Sequence, residues 1–135
     1  MKKKLKCILL VDDNNDDNFF HKIIIKKADV AESIQVAENG LEALEFLKKE
    51  GQIIPELIFL DINMPKMNGW EFLEEYGKLD PKCKARITIM MLTTSANPDD
   101  IEKARHIQDV TGFRTKPLTE EMLSEIINEH FPDYK

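Results

Sequence analysis

Two cysteines in 135 residues, Cys7 and Cys83, are too few and too far apart for a disulfide framework or a CxxC motif. They read as reduced thiols of a cytoplasmic protein, Cys7 inside a strand and Cys83 in a loop. His21, His106 and His130 are scattered without Cys or His neighbours, which argues against zinc. Long apolar runs are missing too. Residues 7–11 are too short for the core of a signal peptide, and Asp12-Asp13 stands where small residues would be needed. Nothing approaches the length of a membrane span. An excess of positive charge is likewise absent: 19 Lys and Arg face 25 Asp and Glu, for a formal net charge of −6. That balance argues against non-specific nucleic-acid binding and against docking on an anionic membrane. The basic cluster Lys2-Lys3-Lys4 reads as a solvated start.

What is present suffices for one domain with a real core: 42% hydrophobic and 33% charged residues. The stretch 57–65, Leu-Ile-Phe-Leu-Asp-Ile-Asn-Met-Pro, organises the rest. A continuous apolar run closed by turn residues predicts a strand buried on both faces, as in a parallel sheet. Residues 7–11 form a second such run and end on Asp12 and Asp13. Residues 34–37 predict an outer strand, 87–92 a fourth that ends at Thr93, and 112–115 a short fifth that ends at Lys116-Pro117.

Helical spacing fills the gaps. Phe20, Ile23, Ile24 and Lys27/Ala28 mark the first stripe, with Asp16 and Asp17 near the positive end of that helix. Leu41, Leu44 and Leu47 mark the second, and Trp70, Leu73 and Tyr76, with Phe72 alongside, the third. Asn97-Pro98-Asp99-Asp100 starts a helix with Ile101 and Ala104 inward. Thr119 caps the last, which buries Met122, Leu123, Ile126 and Ile127, joined by His130 or Phe131. Strands and helices alternate five times without repeat or linker, so the expected fold is one α/β domain, a parallel sheet covered by helices on both faces.

In a parallel sheet all carboxyl strand ends share one rim, where ligands bind. With strands ~4.8 Å apart, Asp12, Asp13, Asp61, Thr93 and Lys116 come within reach of one another if their strands are neighbours. Taken singly, each has a plain structural role as a turn, cap or surface residue. Taken together, three crowded carboxylates repel unless a cation intervenes. A hard divalent ion such as Mg²⁺ meets that need. Lys116 adds a fixed positive charge and Thr93 a hydroxyl donor, a set that suits a phosphoryl group attacked in line by a carboxylate.

Val11-Asp12-Asp13, the run from Leu60 to Pro65 with Met67-Asn68-Gly69, Leu92-Thr93-Thr94, and Lys116-Pro117 together resemble the receiver domain of bacterial two-component response regulators. The resemblance covers nearly the whole chain, a core of about residues 6–131. It implies a flavodoxin-like, doubly wound (βα)5 fold with strand order 2-1-3-4-5. By it, Asp61 is the phospho-accepting nucleophile. Mg²⁺ is held by Asp13, the Asp61 carboxylate and the main-chain carbonyl of Asn63, with Asp12 acting through water. Thr93 hydrogen-bonds the phosphoryl group and Lys116 pairs with it. The Lys116-Pro117 bond is cis, and Phe113 is the aromatic switch, without the hydroxyl of the commoner tyrosine. Asn63 and Ser95 fall at positions that tune phosphoryl lifetime. Arg114 puts a charge into the fifth strand, which an edge strand tolerates. His21 and His106 read as surface or boundary residues.

The expectation is a stand-alone receiver spanning residues 1–135 with no effector domain, since the chain stops soon after the last helix. It is a phosphoacceptor switch rather than a turnover enzyme. A histidine kinase or phosphotransfer protein donates the phosphoryl group, and a protein target reads the segment 98–131. Two rivals are an aspartyl-phosphate hydrolase of the haloacid-dehalogenase type and a pseudo-receiver acting as a constitutive interaction module. The hydrolase places its nucleophile on an early strand and adds a cap domain, neither of which fits. The intact acids, threonine and lysine speak against the pseudo-receiver.

Overall fold

The computed structural model describes residues 4–49, 51, 53–84, 87–94 and 97–132. Five strands, β1 (Leu5–Val11), β2 (Ala31–Ala37), β3 (Leu57–Leu60), β4 (Thr88–Thr93) and β5 (Val110–Thr115), pair in parallel in the order β2-β1-β3-β4-β5. This is the order expected. The helices are α1 (Asn15–Ala28), α2 (Gly40–Lys48), α3 (Gly69–Gly77), α4 (Pro81–Lys84), α5 (Pro98–Arg105) and α6 (Glu120–His130).

The continuous apolar runs have a simple cause. Successive strand residues point to opposite faces, and both faces of β1, β3 and β4 are covered. Leu9, Val11, Ile58, Leu60, Ile89 and Met91 enter a core beneath α2, α3 and α5. Their neighbours Ile8, Leu10, Leu57, Phe59, Met90 and Leu92 enter a second core beneath α1 and α6. Each such side chain contributes about 2 kcal/mol when fully buried. The edge strands β2 and β5 are only half-buried, which is why they carry no comparable run. They extend further back than the apolar pattern showed, starting at Ala31 and Val110. Arg114 on edge strand β5 meets Glu125 of α6 at 3.2 Å.

Several stripes are rotated from expectation. On α1 the buried residues are Asn18, His21 and Ile25, while Phe20 and Ile23 are exposed at 43% and 45%. Polar tethers, described below, set the rotation of this helix. On α2, Leu41 lies outside, and Ala43, Leu44 and Leu47 pack inward. On α3, Phe72 is as buried as Leu73 and Tyr76, and Trp70 is only partly covered. Residues 81–84, expected as turn and loop, form one helical turn, so Cys83 sits on α4. Of the amino-terminal lysines, Lys4 pairs with Asp29 at 2.7 Å, and Lys2 and Lys3 lie outside the described residues. No helix among the described residues is long and apolar enough to cross a membrane.

One close approach fixes the loop after β3. Asn68 caps α3 in a reciprocal box with Glu71, and the Gly69 N–H donates to the Ile62 carbonyl at 2.8 Å. A Cβ on Gly69 would collide with the Asp61 carbonyl oxygen and lie 3.0 Å from the Ile62 Cα. Both obstacles are backbone, so neither can swing aside. Gly69→Ala is expected to cost about 2 kcal/mol in urea unfolding. A loss below about 0.5 kcal/mol, within the usual range for a neutral surface change, would contradict this account of the loop.

Candidate functional site

The carboxyl ends of β1, β3, β4 and β5 bring the expected residues together. Asp12 follows β1, and its N–H donates to the Ala37 carbonyl at 3.0 Å. Its Oδ1 accepts the Asn14 N–H at 3.0 Å, and its Oδ2 lies 2.6 Å from the Lys116 Nζ. Asp61 follows β3: its N–H donates to the Val11 carbonyl at 3.0 Å, and its Oδ1 accepts the Ile62 N–H at 2.9 Å. Its Oδ2 faces the same lysine at 3.6 Å. Thr93 ends β4, is buried, and accepts the Lys116 N–H on its carbonyl at 2.6 Å. Lys116 precedes Pro117 through a cis bond, as expected.

Asp12, Asp13 and Asp61 each present a carboxylate oxygen, all within 4.8 Å of one another. Asp13 is exposed, whereas Asp12 and Asp61 are buried. The crowding has an electrostatic signature. Burial and then the Asp12 charge push the Asp61 carboxyl up to about 6, against smaller lowering effects from Lys116 and the Ile62 N–H. Burial works against the charged form of Lys116, but hydrogen bonds to Asp12 and Asp17 and the Asp61 charge outweigh it and raise its pKa. The donor set is all oxygen and carries excess negative charge. It therefore fits a hard divalent cation better than a soft one.

Two further expected residues are Asn63 and Phe113. Asn63 is exposed two residues beyond Asp61, its expected contribution resting on its main-chain carbonyl. Phe113 lies on β5 opposite Met91, half-buried against the core, and borders a hollow of about 260 Å³ with Ile101, Ala104 and Arg105. Ser95 lies outside the described residues.

Sequence reasoning missed the contribution of α1. Asp17, explained in advance by the helix dipole, places its Oδ2 at 2.8 Å from the Lys116 Nζ. Asn18 donates from Nδ2 to the Asp12 carbonyl at 2.8 Å, and its buried Oδ1 has no protein partner. His21, expected as a surface or boundary residue, is 2% exposed and accepts the Leu118 N–H on Nε2 at 3.4 Å. Burial and then the Lys116 charge lower its pKa, which favours the neutral ring as acceptor. His106 is at the surface as expected, 2.9 Å from Glu102. The usable signal was Asn14: as N-cap it accepts the Asp17 N–H, which sets Asp17 in the first turn beside the rim.

A parallel sheet in this order, with acids and a lysine converging on its carboxyl rim, has the architecture of a two-component signalling domain. Comparison supplies the family, and the chain belongs to it: residues 8–128 match the response regulator receiver domain. The chemotaxis protein CheY of Listeria monocytogenes is 32% identical over 122 residues, covering 90% of this chain and 95% of that one. A two component response regulator from Cytophaga hutchinsonii superposes with a TM-score of 0.87 at 31% identity, covering 96% of this chain and 99% of the other. The Mn(2+)-bound form of response regulator Rcp1 gives a TM-score of 0.74 at 31% identity, with coverage of 95% and 94%.

The raised Asp61 carboxyl has a consequence for stability. The unfolded chain gives up this proton near 3.8, whereas the folded domain keeps it to about 6. Between those values the folded state binds more protons, so the contribution is fully present below 3.8 and lost as pH rises through 6. In metal-free buffer at pH 7.5, Asp61→Asn is expected to stabilise the domain by about 2 kcal/mol in chemical denaturation. The advantage over wild type should shrink as pH falls toward 4. An advantage that is absent, or that grows on acidification, would refute the electrostatic account.

Proposed function

We propose that the domain is a phosphoacceptor switch in which Asp61 takes a phosphoryl group from a histidine kinase or histidine phosphotransfer protein. The observation that carries this reading is the convergence of Asp12, Asp13, Asp61 and Lys116 on one rim, with Asp61 Oδ2 turned toward the lysine. At neutral pH a carboxyl with a pKa of about 6 is mostly ionised and remains a competent nucleophile. The Oδ2 atom forms the new P–O bond as the P–N bond of the donor phosphohistidine breaks in line, and the imidazole leaves with the electron pair. Lys116 neutralises charge on the equatorial oxygens of the transferring group.

Asp12, Asp13, Asp61 and the carbonyl of Asn63 are the proposed Mg²⁺ ligands, Asp12 through water. The close fold match to a Mn(2+)-bound response regulator supports a divalent ion here. Bound there, the ion supplies Lewis-acid neutralisation of the phosphoryl oxygens. Once Asp61 is phosphorylated, Thr93 turns its hydroxyl to the phosphoryl group and vacates space toward Phe113. That change biases the segment 98–131, and with it binding to a protein target, between two arrangements. A cytoplasmic setting is part of the proposal, and the free, buried Cys7 thiol fits a reducing compartment.

The test is intact-mass spectrometry after incubation with Mg²⁺ and a small phosphodonor such as acetyl phosphate. One phosphoryl group per chain is expected, absent in Asp61→Asn and absent when the metal is chelated. Release of many phosphates per chain, or no uptake at all, would sink the reading. Lys116→Ala should keep metal affinity at or above that of wild type, since a competing positive charge is removed, while abolishing the phosphorylation-dependent change in the 98–131 segment. Hydrogen exchange reads that change directly, and an undiminished response would remove Lys116 from the switch.

A further inference from the structure

We propose that Asp17 is a positioning residue for Lys116, an electrostatic latch that supports cation binding and opposes phosphorylation. The inference rests on the phosphoacceptor reading of Asp61 and adds to it a residue outside the expected constellation.

The Lys116 ammonium lies 2.6 Å from Asp12, 2.8 Å from Asp17 and 3.6 Å from Asp61. Its side chain is 7% exposed, so solvent cannot replace a lost partner at low cost. Asp12 and Asp61 belong to the carboxylate cluster, and Asp17 does not. A divalent cation arriving there competes with the lysine for Asp12 and Asp61. The ammonium then retains one carboxylate, Asp17, which holds it beside the site and offsets like-charge repulsion. A phosphoryl group on Asp61 makes the opposite demand. Its oxygens must draw the ammonium away from Asp17, so the Asp17 pair opposes the phosphorylated arrangement.

The tether is well placed for this part. The Asp17 N–H is held by the Asn14 side chain at 3.0 Å, and Asn18, the next residue, is tied to the Asp12 carbonyl at 2.8 Å. The backbone is therefore fixed while the carboxylate, one-third exposed, is free to exchange its partner for water. Asp12, by contrast, is buried and held from several sides.

The latch predicts effects of opposite sign in one variant. For Asp17→Asn, Mg²⁺ affinity by titration calorimetry is expected to fall about tenfold, because a negative charge is lost near the site. At saturating Mg²⁺, affinity for beryllofluoride, a phosphoryl mimic, is expected to rise about tenfold, because the lysine is released. Asp17→Glu, which keeps the charge, should return both values toward wild type. In a Lys116→Met background, Asp17→Asn should no longer raise beryllofluoride affinity. Asp17→Ser carries the same expectations should the Asn variant fold poorly. Beryllofluoride affinity that is unchanged or weakened in Asp17→Asn, or a gain that persists without Lys116, overturns the latch. Failure of wild type itself to bind beryllofluoride with Mg²⁺ overturns the phosphoacceptor reading beneath it.

Discussion

A single buried ammonium, that of Lys116, sits among three carboxylates delivered by separate parts of the chain, and the rest of the site depends on it. Asp12 comes from the end of β1, Asp61 from the end of β3 and Asp17 from the first turn of α1. Burying such a group is costly, and a well-packed apolar replacement often stabilises a fold as much. The cluster is therefore poorly explained as a device for stability. Burial and then the Asp12 charge raise the Asp61 carboxyl, and the excess of carboxylates over ammonium leaves an unmet demand for positive charge. A divalent ion would meet that demand, whereas a phosphoryl group, itself negative, would add to it. The first competes with Lys116 for carboxylate oxygens, and the second competes with the carboxylates for Lys116.

Rigidity of the rim follows from the two-sided core. Alternate residues of β1, β3 and β4 enter opposite hydrophobic layers, so a shift of any strand by one residue would turn one layer's side chains into the other's space. Asp12, Asp61 and Thr93 inherit their positions from that register. The segment after β5 is held differently. The Lys116 N–H is anchored to the Thr93 carbonyl and the Leu118 N–H to His21, so α1 and β4 grip it from two directions. Movement of Thr93 or of the Lys116 side chain thus loads the contacts that join β5 and α6 to the sheet.

Legibility in the sequence divides along the same physical line. The central strands and their terminal acids were readable because burial on both faces leaves an unbroken apolar run, and because like charges at neighbouring strand ends require an explanation. The strand order and the cis bond at Lys116-Pro117 came through the resemblance to receiver domains, and both are present. Edge strands were read too short because one-sided burial leaves no such run. The rotation of α1 was misread for a different reason. Hydrophobic periodicity assumes that apolar contact sets which face turns inward, but here Asn18 and His21 are inward because each has a specific backbone partner. Phe19, at 68% exposure, and Phe20 are left facing solvent as a result.

Asp17 shows why one adequate explanation of a residue can conceal another. An acid in the first turn stabilises its helix through the dipole, an effect worth a few tenths of a kcal/mol to about 1 kcal/mol at an exposed position. That was reason enough for its presence, so nothing in the pattern asked for more. The ion pair with a lysine 99 positions away is a relation of topology: α1 begins where β1 ends, and β5 ends two strands beyond β3. The two roles reinforce each other. The helix terminus attracts a negative charge in the first turn, the same place from which Asp17 reaches Lys116. The lysine, by pairing there, draws the first turn of α1 toward the rim. Any agent that removes Lys116 from this pair consequently acts on α1 as well as on β5.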